Sequence, residues 1–163
     1  MSTTRVRTVS WDDPAATAPA FTAGPGLEIL RRTLAGDFPP SPMARLMGLE
    51  LVAASAGTAV FAADPGEHLY NPSGVVHGGF AATILDSAVG CAVYTTIEAG
   101  DTYTTIELKV NYLRAVTTAT GRVTATGRVL HRGRRTAVAE GRLEDAAGRL
   151  LAHATTTCLV MTA

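Results

Sequence analysis

Asn71-Pro-Ser-Gly-Val-Val-His77-Gly78-Gly79-Phe-Ala-Ala-Thr-Ile-Leu-Asp86-Ser-Ala-Val-Gly90-Cys-Ala-Val-Tyr94 is the stretch on which the fold turns. From Gly78 onward it is apolar or small on nearly every side, the composition of a buried helix. A helix is therefore expected from about Gly78 to Ile97. Between Asn71 and Ile97 there is one formal negative charge before Glu98, that of Asp86. A carboxylate buried there without a partner is costly, so its presence asks for a purpose. The Gly78-Gly79 pair at the helix start exposes backbone N–H groups, and such groups can bind an oxyanion. One carboxylate, one polarising backbone and an apolar helix are parts from which a hydrolytic site can be built.

Beyond Gly100 the period changes from helical to two. Tyr103, Thr105, Glu107, Lys109 and Asn111 alternate with Thr104, Ile106, Leu108, Val110 and Tyr112, which predicts a half-buried strand. Further strands are expected over Gly121 to Leu130, Thr136 to Glu144 and Leu150 to Met161. Short turns at Arg132-Gly133-Arg134 and Ala146-Ala147-Gly148 separate them, so they should pair antiparallel. Upstream of the long helix, Met47 to Ala53 and Ala59 to Asp64 read as two strands joined by a turn at Ala56-Gly57. Leu27, Leu30 and Leu34 repeat at helical spacing and predict a short helix ending at Gly36. The fold class is α+β, with one long helix against an antiparallel sheet. Residues 1–40 form an N-terminal arm with that short helix, flexible or loosely docked up to about Gly26, with Trp11 and Phe21 available to pin it. Residues 41–163 form the single domain.

Composition narrows the function. The chain has 163 residues, 47% of them hydrophobic, and a formal net charge of zero. One globular domain with its own core follows. A neutral balance gives no overall attraction to nucleic acid or to an anionic membrane surface. No run of about 18 apolar residues predicts a membrane span, and the N-terminus lacks the pattern of a secretory signal. Cys91 and Cys158 lie in apolar runs, as packed thiols of a cytoplasmic protein do. The spacing of His68, His77, His131 and His153 does not suggest a metal site.

The segment from Asn71 to Asp86 resembles the signature of hotdog-fold acyl-CoA thioesterases, in the branch that includes phenylacetyl-CoA and 4-hydroxybenzoyl-CoA thioesterases. The strand Thr104-Thr-Ile-Glu-Leu-Lys-Val-Asn-Tyr-Leu-Arg114 and the hairpin His131-Arg-Gly-Arg-Arg135 extend the likeness, which runs from about Ser41 to Met161. The resemblance implies a hotdog fold and hydrolysis of an acyl-CoA thioester to free acid and CoA. It implies that Asp86 is the general base or the nucleophile and that the Gly78 N–H is the oxyanion hole. Asn71 matches an amide that helps polarise the carbonyl, and His77 a residue near the sulfur or bracing the loop. Thr105 matches a hydroxyl that orients water. In some members that hydroxyl stands four residues beyond the carboxylate; here Gly90 holds the place, so the role passes to Thr105 or Ser87. Arg132, Arg134 and Arg135 are candidates for CoA phosphate contacts, against the plainer reading of a solvated hairpin tip. No metal or resident cofactor is implied, CoA being part of the substrate.

His77 and Asp86 are nine residues apart, about 13 Å along a helix. Gly78 and Asp86 of one chain cannot readily meet at one thioester carbon. Two copies with antiparallel helices could bring Gly78 of one beside Asp86 of the other, as in the family's composite sites. At least a homodimer is expected, with a tetramer as the fuller assembly. Two alternatives stay open: a hotdog dehydratase or hydratase acting on acyl thioesters, and a non-catalytic acyl-CoA binding protein. Phe80, Leu85 and Val89 are candidate lining residues for an apolar acyl group.

Overall fold

A computed structural model describes residues 3–162; Met1, Ser2 and Ala163, the outer ends of the two expected spans, lie outside it. The elements run α1 (Pro14–Thr17), α2 (Gly26–Ala35), α3 (Pro42–Met47), β1 (Glu50–Ser55), β2 (Thr58–Ala63), α4 (Gly78–Tyr94), β3 (Thr102–Tyr112), β4 (Val123–Arg132), β5 (Thr136–Asp145) and β6 (Leu150–Met161). The strands form one antiparallel sheet in the order β1-β2-β4-β5-β6-β3. α4 lies across it. Ile84, Leu85, Ala88, Val89, Ala92 and Val93 are fully buried beneath the helix. The approach is close enough that a Cβ on Gly127 of β4 would stand 2.2 Å from the Ala88 carbonyl oxygen. Only glycine allows that contact.

The helical period sets what α4 leaves uncovered. At 100° per residue, Gly79, Thr83, Asp86 and Gly90 fall on the face opposite Ala81, Ala88 and Ala92. Gly79 is exposed, and Thr83 and Asp86 are half-buried. The helix is thus apolar toward the sheet and carries a narrow, small and polar stripe on its other side. It stops at Tyr94 rather than Ile97, because Thr95 closes it. The Thr95 hydroxyl donates to the Ala92 carbonyl and accepts the Gly57 N–H, tying the helix end to the β1–β2 turn.

Three differences from the sequence reading matter for the site. The strand expected from Met47 starts at Glu50, since Pro42–Met47 is a helix. Its signals are a Ser41 side chain accepting the Ala44 N–H, Pro42 in the first turn and a left-handed Gly48. Six residues are too few to show a hydrophobic period. Second, the strict alternation read into β3 breaks at Ile106. Thr105 pairs with Cys158 and Glu107 with Thr157, so Ile106 is the extra residue of a β-bulge. Tyr103 and Thr105 face α4 before the bulge, and Leu108 and Val110 enter the core after it. Third, part of the N-terminal arm is firmly seated. Phe21 stacks on Tyr94 at 5.9 Å, the Tyr94 hydroxyl donates to the Phe21 carbonyl, and Ile29 and Leu30 of α2 are buried. Trp11 is exposed.

Candidate active site

The start of α4 is held by its own loop. The Asn71 Oδ1 accepts the Ser73 N–H at 2.9 Å, and the His77 N–H donates to the Leu69 carbonyl at 2.8 Å. His77 is the N-cap: its Nδ1 accepts the Gly79 N–H at 2.8 Å, which requires the ring proton to sit on Nε2. The Phe80 N–H bonds the His77 carbonyl. The Gly78 N–H, between these two, donates no hydrogen bond among the described residues. It points from the positive end of a 17-residue helix, as an oxyanion donor must. Gly78 lines a cavity of about 290 Å³ with Tyr112, Arg114 and Val116.

Asp86 opens elsewhere. Its Oδ1 accepts a hydrogen bond from the Thr105 hydroxyl at 3.0 Å, and its Oδ2 has no partner among the described residues. The bulge at Ile106 is what aims Thr105 at it; bulges commonly re-aim a side chain in this way. The Ser87 hydroxyl, the other candidate for that role, donates instead to the Thr83 carbonyl at 2.9 Å. Asp86 lines a chamber of about 650 Å³. The walls include Phe21, Leu30, Phe38, Met43, Leu49 and Tyr103. Burial first, and then the Asp86 charge, pushes the Cys91 thiol beside it up to about 12. Cys91 is therefore a protonated, inert wall residue. Burial likewise holds the Tyr103 phenol well above the usual tyrosine range, with smaller contributions from Cys91, Cys158, Asp86 and Tyr94.

Within one chain the structure joins Asp86 to Thr105 and leaves Gly78 apart from both. The two cavities share no lining residue. Asn71 uses its carbonyl oxygen as a turn brace, and its amide nitrogen has no partner among the described residues. Arg132 is folded back on the hairpin, donating to the Gly133 and Arg134 carbonyls. Arg134 and Arg135 are exposed and make no ion pair among the described residues. Leu85 and Val89 do not line the Asp86 chamber; both pack against Gly141 of the sheet. Phe80 is buried and borders a separate cleft with His77 and Thr83. Sequence reasoning missed Tyr103 and the wall supplied by residues 21–51. Period two does put Tyr103 on the face of Thr105, and that was the available signal. Among the described residues, no group of three His, Cys, Asp or Glu side chains could hold a metal ion.

A long helix lying across a six-stranded antiparallel sheet in this order is the hotdog fold. The model of the thioesterase superfamily matches residues 73–152, which include Gly78, Asp86 and Thr105. The chain is similar to a 1,4-dihydroxy-2-naphthoyl-CoA hydrolase of Listeria monocytogenes, 29% identical over 105 residues, 64% of this chain and 84% of that protein. A conserved protein of Pseudomonas aeruginosa superimposes with a TM-score of 0.70 at 33% identity, over 75% of this chain and 95% of the other. A phenylacetic acid degradation-related protein of Ralstonia eutropha JMP134 gives 0.72 at 30% identity, over 80% and 98%. The chain belongs to the thioesterase superfamily and is a thioester hydrolase.

Proposed function

We propose that the protein hydrolyses an acyl-CoA to free acid and CoA, with Asp86 as the base and the Gly78 N–H of a second copy as the oxyanion donor. The observation that carries this is the pair of open groups, Asp86 Oδ2 and the Gly78 N–H, opening into separate cavities of one chain. A water held by Asp86 Oδ2 and by the Thr105 oxygen gives its proton to the carboxylate as its oxygen attacks the thioester carbon. The carbonyl oxygen, now negative, is met by the Gly78 N–H at the helix start. Collapse breaks the C–S bond, and CoA leaves as a thiolate that takes up a proton. Thiolate leaves readily, so a carboxylate and an oxyanion donor suffice without a Ser-His-Asp triad. The Asn71 amide supports the same carbonyl, and His77 acts by fixing the helix start. CoA enters as substrate, with Arg134 and Arg135 as reachable partners for its phosphates; no resident cofactor is required.

Two features support a dimer. Among the described residues β3 pairs with β6 alone and ends the sheet with a free edge, and an 11-residue edge strand is a ready template for pairing. Ile106 and Tyr112 along it, and Leu113 just beyond it, are 57%, 58% and 52% exposed. Pairing two β3 edges about a two-fold axis sets the two α4 stripes side by side and antiparallel. Gly79, Thr83 and Asp86 then face the other helix. Free thiols at Cys91 and Cys158 fit a cytoplasmic location.

Thiol release and product analysis across acyl-CoAs from short chain to aryl test the reading. Free CoA and acid are expected, and Asp86→Asn should abolish both. Formation of a hydrated acyl-CoA would point to a hydratase, and binding without turnover to a carrier; either result overturns the proposal.

A further inference from the structure

The Asp86 chamber holds a second open polar group that hydrolysis itself leaves unused. Tyr103 enters it from β3, two residues before Thr105 and on the same face. Its hydroxyl lies 3.2 Å from the point where a Cβ on Gly90 would stand. The absent side chain of Gly90 is what admits it. Gly90 follows Asp86 by four residues, about 6 Å along the helix, and on the same stripe of α4. The phenol ring is fixed by stacking on Tyr94, with centroids 5.7 Å apart and planes at 26°, and Tyr94 is stacked in turn on Phe21. This hydroxyl is therefore held in place rather than swinging.

Its surroundings say what it is for. The half-buried Tyr103 hydroxyl makes no hydrogen bond among the described residues, and it lines the same chamber as Asp86. The other side-chain oxygens around the chamber are engaged. Thr105 is bound to Asp86, Ser87 to the Thr83 carbonyl, Thr33 to the Ile29 carbonyl, Ser41 to the Ala44 N–H and Glu50 to Arg122. Asp86 and Tyr103 remain for a ligand. Burial keeps the phenol protonated, so it offers a proton donor and not a base. Donation to the attacking water would draw on the lone pairs that must reach the thioester carbon. An oxygen on the acyl group is a better-suited acceptor.

Resting on the acyl-CoA hydrolysis proposed above, we propose that Tyr103 selects acyl groups bearing an oxygen substituent three or four bonds from the thioester carbon, by donating a hydrogen bond to that oxygen. A bound acyl group without the oxygen displaces water from the hydroxyl and offers it no partner in return, and that difference is what discriminates.

The test compares matched pairs: butyryl-CoA with 3-hydroxybutyryl-CoA, and benzoyl-CoA with 3-hydroxybenzoyl-CoA. Each is assayed for kcat/KM, and its non-hydrolysable ketone analogue for binding by calorimetry. The wild type should favour the oxygen-bearing member of at least one pair by about 3- to 10-fold, the factor one neutral hydrogen bond supplies. In Tyr103→Phe, which keeps the ring and its stacking, that ratio should fall toward one. A merely structural tyrosine lowers both members together and leaves the ratio intact, and that result overturns the proposal. So does a wild type with no preference in either pair, or with no binding at all. Absent turnover with selective analogue binding that Tyr103→Phe erases would sink the hydrolytic reading but uphold this one.

Discussion

Glycine stands near both ends of α4, and a tyrosine of β3 lies over each, but the two ends are finished differently. At Gly90 a Cβ would meet Tyr103 at 3.2 Å, and that ring is enclosed by Tyr94 and the N-terminal wall. At Gly78 a Cβ would meet Tyr112 at 3.1 Å, and Tyr112 is one of the exposed residues of the free sheet edge. The chain completes the Asp86 end from its own sequence. The Gly78 end keeps an open N–H beside an exposed ring. The contrast separates a chamber walled within one chain from an open N–H that, in the function proposed, polarises the carbonyl in the site of a second copy.

The largest effect should come from the carboxylate. Asp86→Asn keeps the shape and the Thr105 contact but removes the base, and kcat should fall on the order of 100-fold or more with the melting temperature little changed. Near-normal thiol release would remove Asp86 from the mechanism. At the other end, Gly78→Pro deletes the N–H, and the Cβ it adds would meet Tyr112 at 3.1 Å, an exposed ring with room to give way. His77 sits at φ −60 and ψ 138, a conformation that tolerates a following proline, and the first helical position accepts one. A drop of about 100-fold in kcat is expected, in the range found for single oxyanion donors. A fully active variant would mean that another group polarises the carbonyl.

Thr105→Val should be milder, lowering kcat by about 10-fold with little change in KM, because it strips one hydrogen bond from a charged group. Ser87→Ala should do little, its hydroxyl being occupied by the Thr83 carbonyl; the reverse ranking would hand the role to Ser87. The smallest effect is on alkaline stability. Cys91 and Tyr94, each raised to about 12, and Tyr103 keep protons when folded that the unfolded chain releases. Their contribution is complete below about pH 9 and is lost as pH climbs toward 12. Melting temperatures from pH 7 to 11 should fall at the alkaline end, less steeply in Tyr103→Phe, and an equal slope would contradict the buried phenol.

These residues also show where the sequence could be read and where it could not. α4, the hairpins and Asp86 were legible because a long apolar run and strict period-two strands leave few alternatives. Thr105 was legible by resemblance, but its geometry was not, since one extra residue at Ile106 reverses the face of everything beyond it. The chamber wall was hidden for another reason. Phe21, Phe38 and Met43 sit among prolines, glycines and short helices, where no period survives, and only tertiary packing brings them to Asp86. The free edge of β3 is likewise a property of sheet order and not of any local pattern.

Mixing the two damaged chains tests the central claim most directly. An Asp86→Asn chain keeps Gly78, and a Gly78→Pro chain keeps Asp86. If each site takes one group from each copy, a mixed dimer has one site with both defects and one with neither. Random exchange makes half the dimers mixed, so two nearly inactive preparations should recover about a quarter of wild-type activity together. Verified subunit exchange with no recovery would place the whole site within one chain and contradict the account.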